Sequence, residues 1–143
     1  MKIGFLLLLS MNDIEALMSA NLTGKTQSFL LELPNYYISK GHEVIIITTS
    51  NRIKEDYYIK QDNLTIHIIK IGSHGRVRAF TGFRSEIRRI ASVLKKENCT
   101  IMHAHWCYEF AMAAISVDKD KTIVTLHDWP DTVCPLIGNY FWK

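Results

Sequence analysis

Apolar residues gather in five short runs, at 2–9, 44–49, 64–71, 99–106 and 121–129. The runs at 2–9 and 44–49 are almost continuous, as expected of parallel strands covered on both faces. The run at 64–71 alternates, as a strand nearer a sheet edge does. Helical spacing fills several of the gaps. From Thr26, residues Phe29, Leu33, Tyr36 and Tyr37 share one face, and the pattern stops at Lys40 and Gly41, where glycine can turn left-handed. Pro34 within it predicts a kink or a late helix start. A second helix carries Ile87, Ile90, Ala91 and Leu94 as one apolar stripe, and a third spans roughly 108–117. Residues 10–25 read as a long loop with at most one helical turn, and residues 72–82, bounded by Gly72 and Gly82, as another. The alternation of strand and helix predicts an α/β fold: a Rossmann-like, doubly wound parallel sheet with strand order 3-2-1-4-5 in a single domain over 1–143. Beyond Pro130 no helix or strand is predicted. The aromatic, apolar end up to Trp142 reads as a chain that continues past Lys143.

The last two runs close on titratable groups. One ends in His103, His105 and Trp106, the other in His127, Asp128 and Trp129. Ligands of open α/β sheets bind at the C-terminal edge of the strands. Neighbouring strands would therefore bring His103 or His105 to the same crevice as His127. Any one of these histidines taken alone is more simply a structural residue; their repeated placement at strand ends favours a site.

Composition changes this picture little. The content of 48% hydrophobic and 22% charged residues is that of an ordinary globular domain. A formal charge of +3 does not imply nucleic acid. Three cysteines without a CxxC pair suggest neither a disulfide framework nor a zinc site and fit a reducing cytoplasm. No run approaches the roughly twenty apolar residues of a membrane span, and the apolar start is read as a strand, not a signal peptide.

Neither GxGxxG nor a Walker A sequence is present, and no GxSxG turn marks a serine hydrolase. Gly24 before a helix is one weak phosphate-loop signal. His103 and His105, two apart, share one face of a strand, but no third ligand stands at a supporting spacing, so no metal is expected.

In order, Thr23 and Gly24, the helix end at Lys40 to Val44, the strand Ile101 to Trp106, and Thr125 to Trp129 with Cys134 and Pro135 behind it form a recognisable series. The chain resembles the N-terminal domain of a GT-B glycosyltransferase, closest to the retaining family 4 group that builds bacterial polysaccharides and glycolipids. The resemblance covers nearly the whole chain. It implies sugar transfer from a nucleotide-sugar donor, a substrate and not a cofactor, to a glycan or lipid-linked acceptor. Thr23 and Gly24 would lie by the donor diphosphate, with Thr23 standing where the family often has glycine. His127 would be the catalytic residue, reaching the transferred sugar or acceptor for positioning and charge stabilisation, while His103, His105 and Asp128 line the cleft. The family holds its nucleotide mainly in a second Rossmann-like domain. That domain is absent from this sequence, so this half is expected to turn over negligibly without a C-terminal domain or partner subunit.

The resemblance further implies contact with an anionic membrane or acceptor through Arg76, Arg78, Arg84, Arg88, Arg89, Lys95 and Lys96, at the inner face of the plasma membrane. An ordinary solvated helix face is an equal reading of these charges, and Glu86 at i,i+3 from Arg89 could pair with it. Two alternatives remain: a non-catalytic module that binds an anionic lipid or glycan carrier and recruits a catalytic chain, and a flavodoxin-like nucleotide-binding domain.

Overall fold

The computed structural model describes residues 1–19, 29–72 and 75–127. Strands β1 (Lys2–Leu6), β2 (Glu43–Ser50), β3 (Tyr57–Gln61), β4 (Leu64–Lys70), β5 (Ile101–His105) and β6 (Thr122–Thr125) form one sheet. Helices α1 (Met11–Ser19), α2 (Glu32–Ser39), α3 (Gly75–Phe80), α4 (Arg84–Glu97) and α5 (Glu109–Val117) connect them. The sheet order is β3-β4-β2-β1-β5-β6. The five predicted strands thus lie in the predicted order, all parallel, and the sheet gains a sixth strand at one edge. That strand, β3, pairs antiparallel with β4. It went unread in the sequence because only Ile59 turns partly inward, so no apolar alternation marks it.

Each face of the sheet has its own core. Ile3, Phe5 and Leu7 of the first strand segment, with Val44, Ile46, Ile66 and Ile68, pack against Ile14 and Leu17 of α1 and Ile38 of α2. Leu6, Ile45, Ile47, Met102 and Ala104 pack against Ile90, Ala91 and Leu94 of α4 and Phe110, Ala111, Ala113 and Ala114 of α5. Gly4 permits α4 to come close: a Cβ there would lie 3.0 Å from Cys99 Sγ and 3.7 Å from Leu94 Cδ2.

Three local expectations are corrected. Residues 11–19, expected to be mostly loop, form a nine-residue helix. The Asp13 carboxylate accepts from the Ser10 N–H at 2.9 Å, and the Ser10 hydroxyl accepts from the Asp13 N–H at 3.1 Å, a reciprocal cap that satisfies two otherwise orphaned donors. The face expected to be buried between 29 and 41 is mostly turned outward: Phe29, Leu33 and Tyr36 are exposed and only Tyr37 packs on the core, whereas Leu30, Leu31, Pro34 and Ile38 are buried. Pro34 explains the shift. The α-helix starts only at Glu32, after a 3₁₀ turn at Phe29–Leu31, so proline sits in the first turn, where its missing N–H breaks no bond. The helix does end as expected. Gly41 takes φ +76°, with Gly41 N–H donating to Ile38 O and His42 N–H to Tyr37 O at 2.9 and 3.1 Å, the bonding pattern of a Schellman cap. Finally, residues 75–80, expected in a loop, form the short helix α3.

Leu94 is about 1% exposed between α4, β1 and β5, and Ile115 on α5 is half exposed. Leu94→Ala is expected to cost about 2–5 kcal/mol of stability, and Ile115→Ala no more than about 0.5 kcal/mol. Urea unfolding of both variants checks the pair.

Candidate functional site

β5 and β6 run side by side with His103 opposite Ile123 and His105 opposite Thr125. The period-two alternation of a strand puts His103 and His105 on one face. Their rings stack, with centroids 4.6 Å apart and 28° between planes. His127, two residues beyond β6, meets the edge of the His105 ring nearly coplanar, with centroids 5.0 Å apart and 12° between planes. All three histidines therefore share the C-terminal edge, with His105 buried between the part-buried His103 and the exposed His127.

Hydrogen bonds hold this order. His103 Nε2 bonds the Thr125 hydroxyl at 2.7 Å, and His105 Nδ1 bonds His127 Nε2 at 2.7 Å. Phe5 packs behind His103, with centroids 5.7 Å apart. Phe29 meets His127 edge-on at 5.6 Å, and Trp106 lies 4.9 Å from it. Trp106 adopts φ +65°, a left-handed conformation that costs a bulky residue of order 1–3 kcal/mol. Its N–H donates to Thr125 O at 2.9 Å, which carries the β5–β6 ladder past the strand end while the chain turns away. Phe29 was not legible as a site residue, since no motif in its segment marks it, and Thr125 was read only as the start of the strand end that carries His127.

The inner histidines are held neutral. Burial, then the neighbouring His103 and His127, pushes His105 down to about 4. Burial, then His127, lowers His103. The site can therefore offer neutral imidazole donors and acceptors beside aromatic faces. Among the described residues no group of three or more His, Cys, Asp or Glu is placed to hold a metal ion.

Two shallow concavities continue the same edge. One is lined by Leu8, Trp106, Tyr108, Glu109 and Phe110. The other lies at the ends of β1, β2 and β4, where Ser10, Thr49, Ser50, Asn51 and Arg52 supply polar groups. Thr23, Gly24 and Asp128 lie outside the described residues, as do Cys134 and Pro135.

The basic residues do not form one patch. Arg78 turns inward, where its Nε donates to Glu86 at 2.7 Å and a terminal nitrogen to Glu109 at 3.2 Å, with the guanidinium over the Phe83 ring. Glu86, which the sequence offered as a partner for Arg89, is thereby buried and occupied by Arg78. Arg89 instead bonds Asp56 and the Lys70 carbonyl. Arg76 lies on α3. Arg84 and Arg88 are exposed near the start of α4, and Lys95 and Lys96 are exposed at its other end, roughly 16 Å away along the helix. Lys95 there borders a cavity at the opposite rim, with Asp118 and Lys121. Phe80 of α3, 84% exposed, borders a concavity with Arg84, and Val77 on the same helix is 62% exposed.

The chain matches the family model described as Glycosyltransferase Family 4 over residues 26–143. No curated protein matches it.

Two outcomes follow from these burials. Arg78→Met leaves the Glu86 carboxylate, 5% exposed, without its partner, and is expected to destabilise by about 3–5 kcal/mol. Arg84→Met should change stability by no more than about 0.5 kcal/mol, with chemical denaturation as the measure. His105, whose ordinary value is 6.5, is held at about 4 in the folded chain, so the unfolded chain takes up this proton first as pH falls. Its contribution is complete above about pH 6.5 and is lost toward pH 4, about 3 kcal/mol in all. Unfolding curves between pH 7 and 4.5 should show a smaller loss for His105→Phe than for the unaltered chain; equal losses would contradict the assignment.

Proposed function

The chain belongs to glycosyltransferase family 4, and on that premise we propose that it is the acceptor-side half of a retaining, sugar-nucleotide-dependent GT-B enzyme. Its acceptor is a glycan or lipid-linked sugar of polysaccharide or glycolipid synthesis, and a second α/β domain or partner subunit holds most of the nucleotide. The observation that carries this reading is His127, exposed at the sheet edge yet bonded from behind by buried His105 and flanked by Phe29 and Trp106. The aromatic rings suit the apolar face of a sugar, and the imidazole suits its hydroxyls or the charge that develops as the donor diphosphate leaves. His127 acts by position and hydrogen bonding, not by covalent attack.

A second reading has an observation of its own. Val77 and Phe80 are exposed on α3, and Phe80 borders one concavity with Arg84, a combination fitted to an anionic lipid surface, with apolar side chains entering the headgroup region and arginine meeting phosphates. Among the described residues no helix is long and apolar enough to cross a membrane. This surface would place the transferase peripherally at the inner face of the plasma membrane. Without catalysis it would make the chain a recruiting module for an anionic lipid or glycan carrier.

One experiment separates the two. The chain is combined with a nucleotide-binding second domain of the family, and transfer from nucleotide sugars to lipid-linked acceptors is followed. Transfer that drops by about 10²–10³ on His127→Ala, with the fold intact, is the expected result. Vesicle binding that survives His127→Ala, with no transfer in any pairing, would leave only the module.

A further inference from the structure

We propose that His105 is a positioning residue for His127: it donates its Nδ1–H to His127 Nε2 and so fixes His127 in the tautomer that carries its own proton on Nδ1. The significance for catalysis rests on the reading of His127 above; the bond and the tautomer do not.

The 2.7 Å bond between the two rings admits two neutral arrangements. If His127 were the donor, His105 would accept at Nδ1 and carry its proton on Nε2. That nitrogen is buried and has no hydrogen-bond partner among the described residues. The arrangement would strand an N–H away from water, and orphaned buried N–H groups are rare. If His105 is the donor, the stranded atom is a bare nitrogen and no buried N–H goes unmet. The doubly protonated form of His105 is excluded near neutrality, since burial and its two histidine neighbours hold its pKa at about 4.

The surroundings prevent His105 from escaping this role. The ring is 7% exposed, and His103 is stacked on one face and anchored by its own bond to Thr125. His127 meets its edge, nearly coplanar at 12° with centroids 5.0 Å apart, as an in-plane bond between the two ring nitrogens requires. Below, the backbone is clamped where the strained Trp106 donates to Thr125 O. A neutral imidazole has one N–H, and its position follows from the bond made by the other nitrogen. His127 therefore offers a donor at Nδ1, whereas an unconstrained histidine in water favours Nε2–H.

Long-range ¹H–¹⁵N correlation of the labelled chain at pH 7 tests this without any turnover. In the unaltered chain, His127 Nδ1 should resonate as a protonated, pyrrole-type nitrogen and Nε2 as a pyridine-type one. His105→Phe keeps an aromatic ring and removes the donor, and should return His127 toward Nε2–H. His105→Asn, whose amide places an N–H near the lost Nδ1, should restore the original pattern, with the backbone amide spectrum reporting the fold of each variant. A pyrrole-type Nε2 on His127 in the unaltered chain would overturn the proposal even if His105→Phe failed to fold, and so would a tautomer indifferent to His105→Phe. If the tautomer responds as expected but transfer by the assembled enzyme does not follow it, the positioning stands and the catalytic reading of His127 falls.

Discussion

The pairing register of β6 on β5 is the constraint on which the site depends. With His105 opposite Thr125, the carbonyl of Thr125 can take the Trp106 N–H and its hydroxyl can take His103. The two further residues to His127 then bring the edge of that ring to His105. A slip of one residue would send every side chain of β6 to the opposite face and break up the histidine row. The register is fixed in turn by burial. Met102 and Ala104 belong to the core beneath α4 and α5, and Val124 packs against it, so the histidines have only the other face to occupy.

This explains how buried polar groups are tolerated in so apolar a sheet. His103 and His105 are kept neutral by the burial that would make their charge expensive, and each has a specific hydrogen bond. Nearby, Arg78 applies the ionic version of the same solution, satisfying carboxylates at the starts of both α4 and α5 and tying these helix ends to α3. The concave edge is bordered on that side by a structural ion cluster. Beyond it, exposed Arg84 borders a concavity with Phe80 at the end of α3.

Much of this was legible in the sequence. Apolar runs, nearly continuous at 2–9 and 44–49 and alternating at 64–71, marked five strands, their alternation with helices implied the parallel order, and the His-x-His spacing placed two histidines on one face. The remainder was hidden for identifiable reasons. The outward-facing β3 lacks alternation; α1 is short and depends on a local cap between Ser10 and Asp13; and α2 begins later than its pattern suggested because of Pro34, which rotates its buried face. The partners of Arg78 and Arg89 lie 8 to 33 residues away, so helical spacing alone assigned Glu86 to the wrong arginine. The left-handed turn at Trp106 and the unpartnered Nε2 of His105 arise only once β6 is in place.

Backbone and imidazole shift mapping of the labelled chain, titrated with a short-chain lipid diphosphate sugar, decides whether the histidine edge of the sheet meets the sugar substrate. Perturbations concentrated at residues 103–106 and 125–127, including the His127 ring, are the expected result of such contact. Perturbations confined to the opposite rim around Lys95, Asn98 and Lys121, with the histidines unchanged, would contradict it.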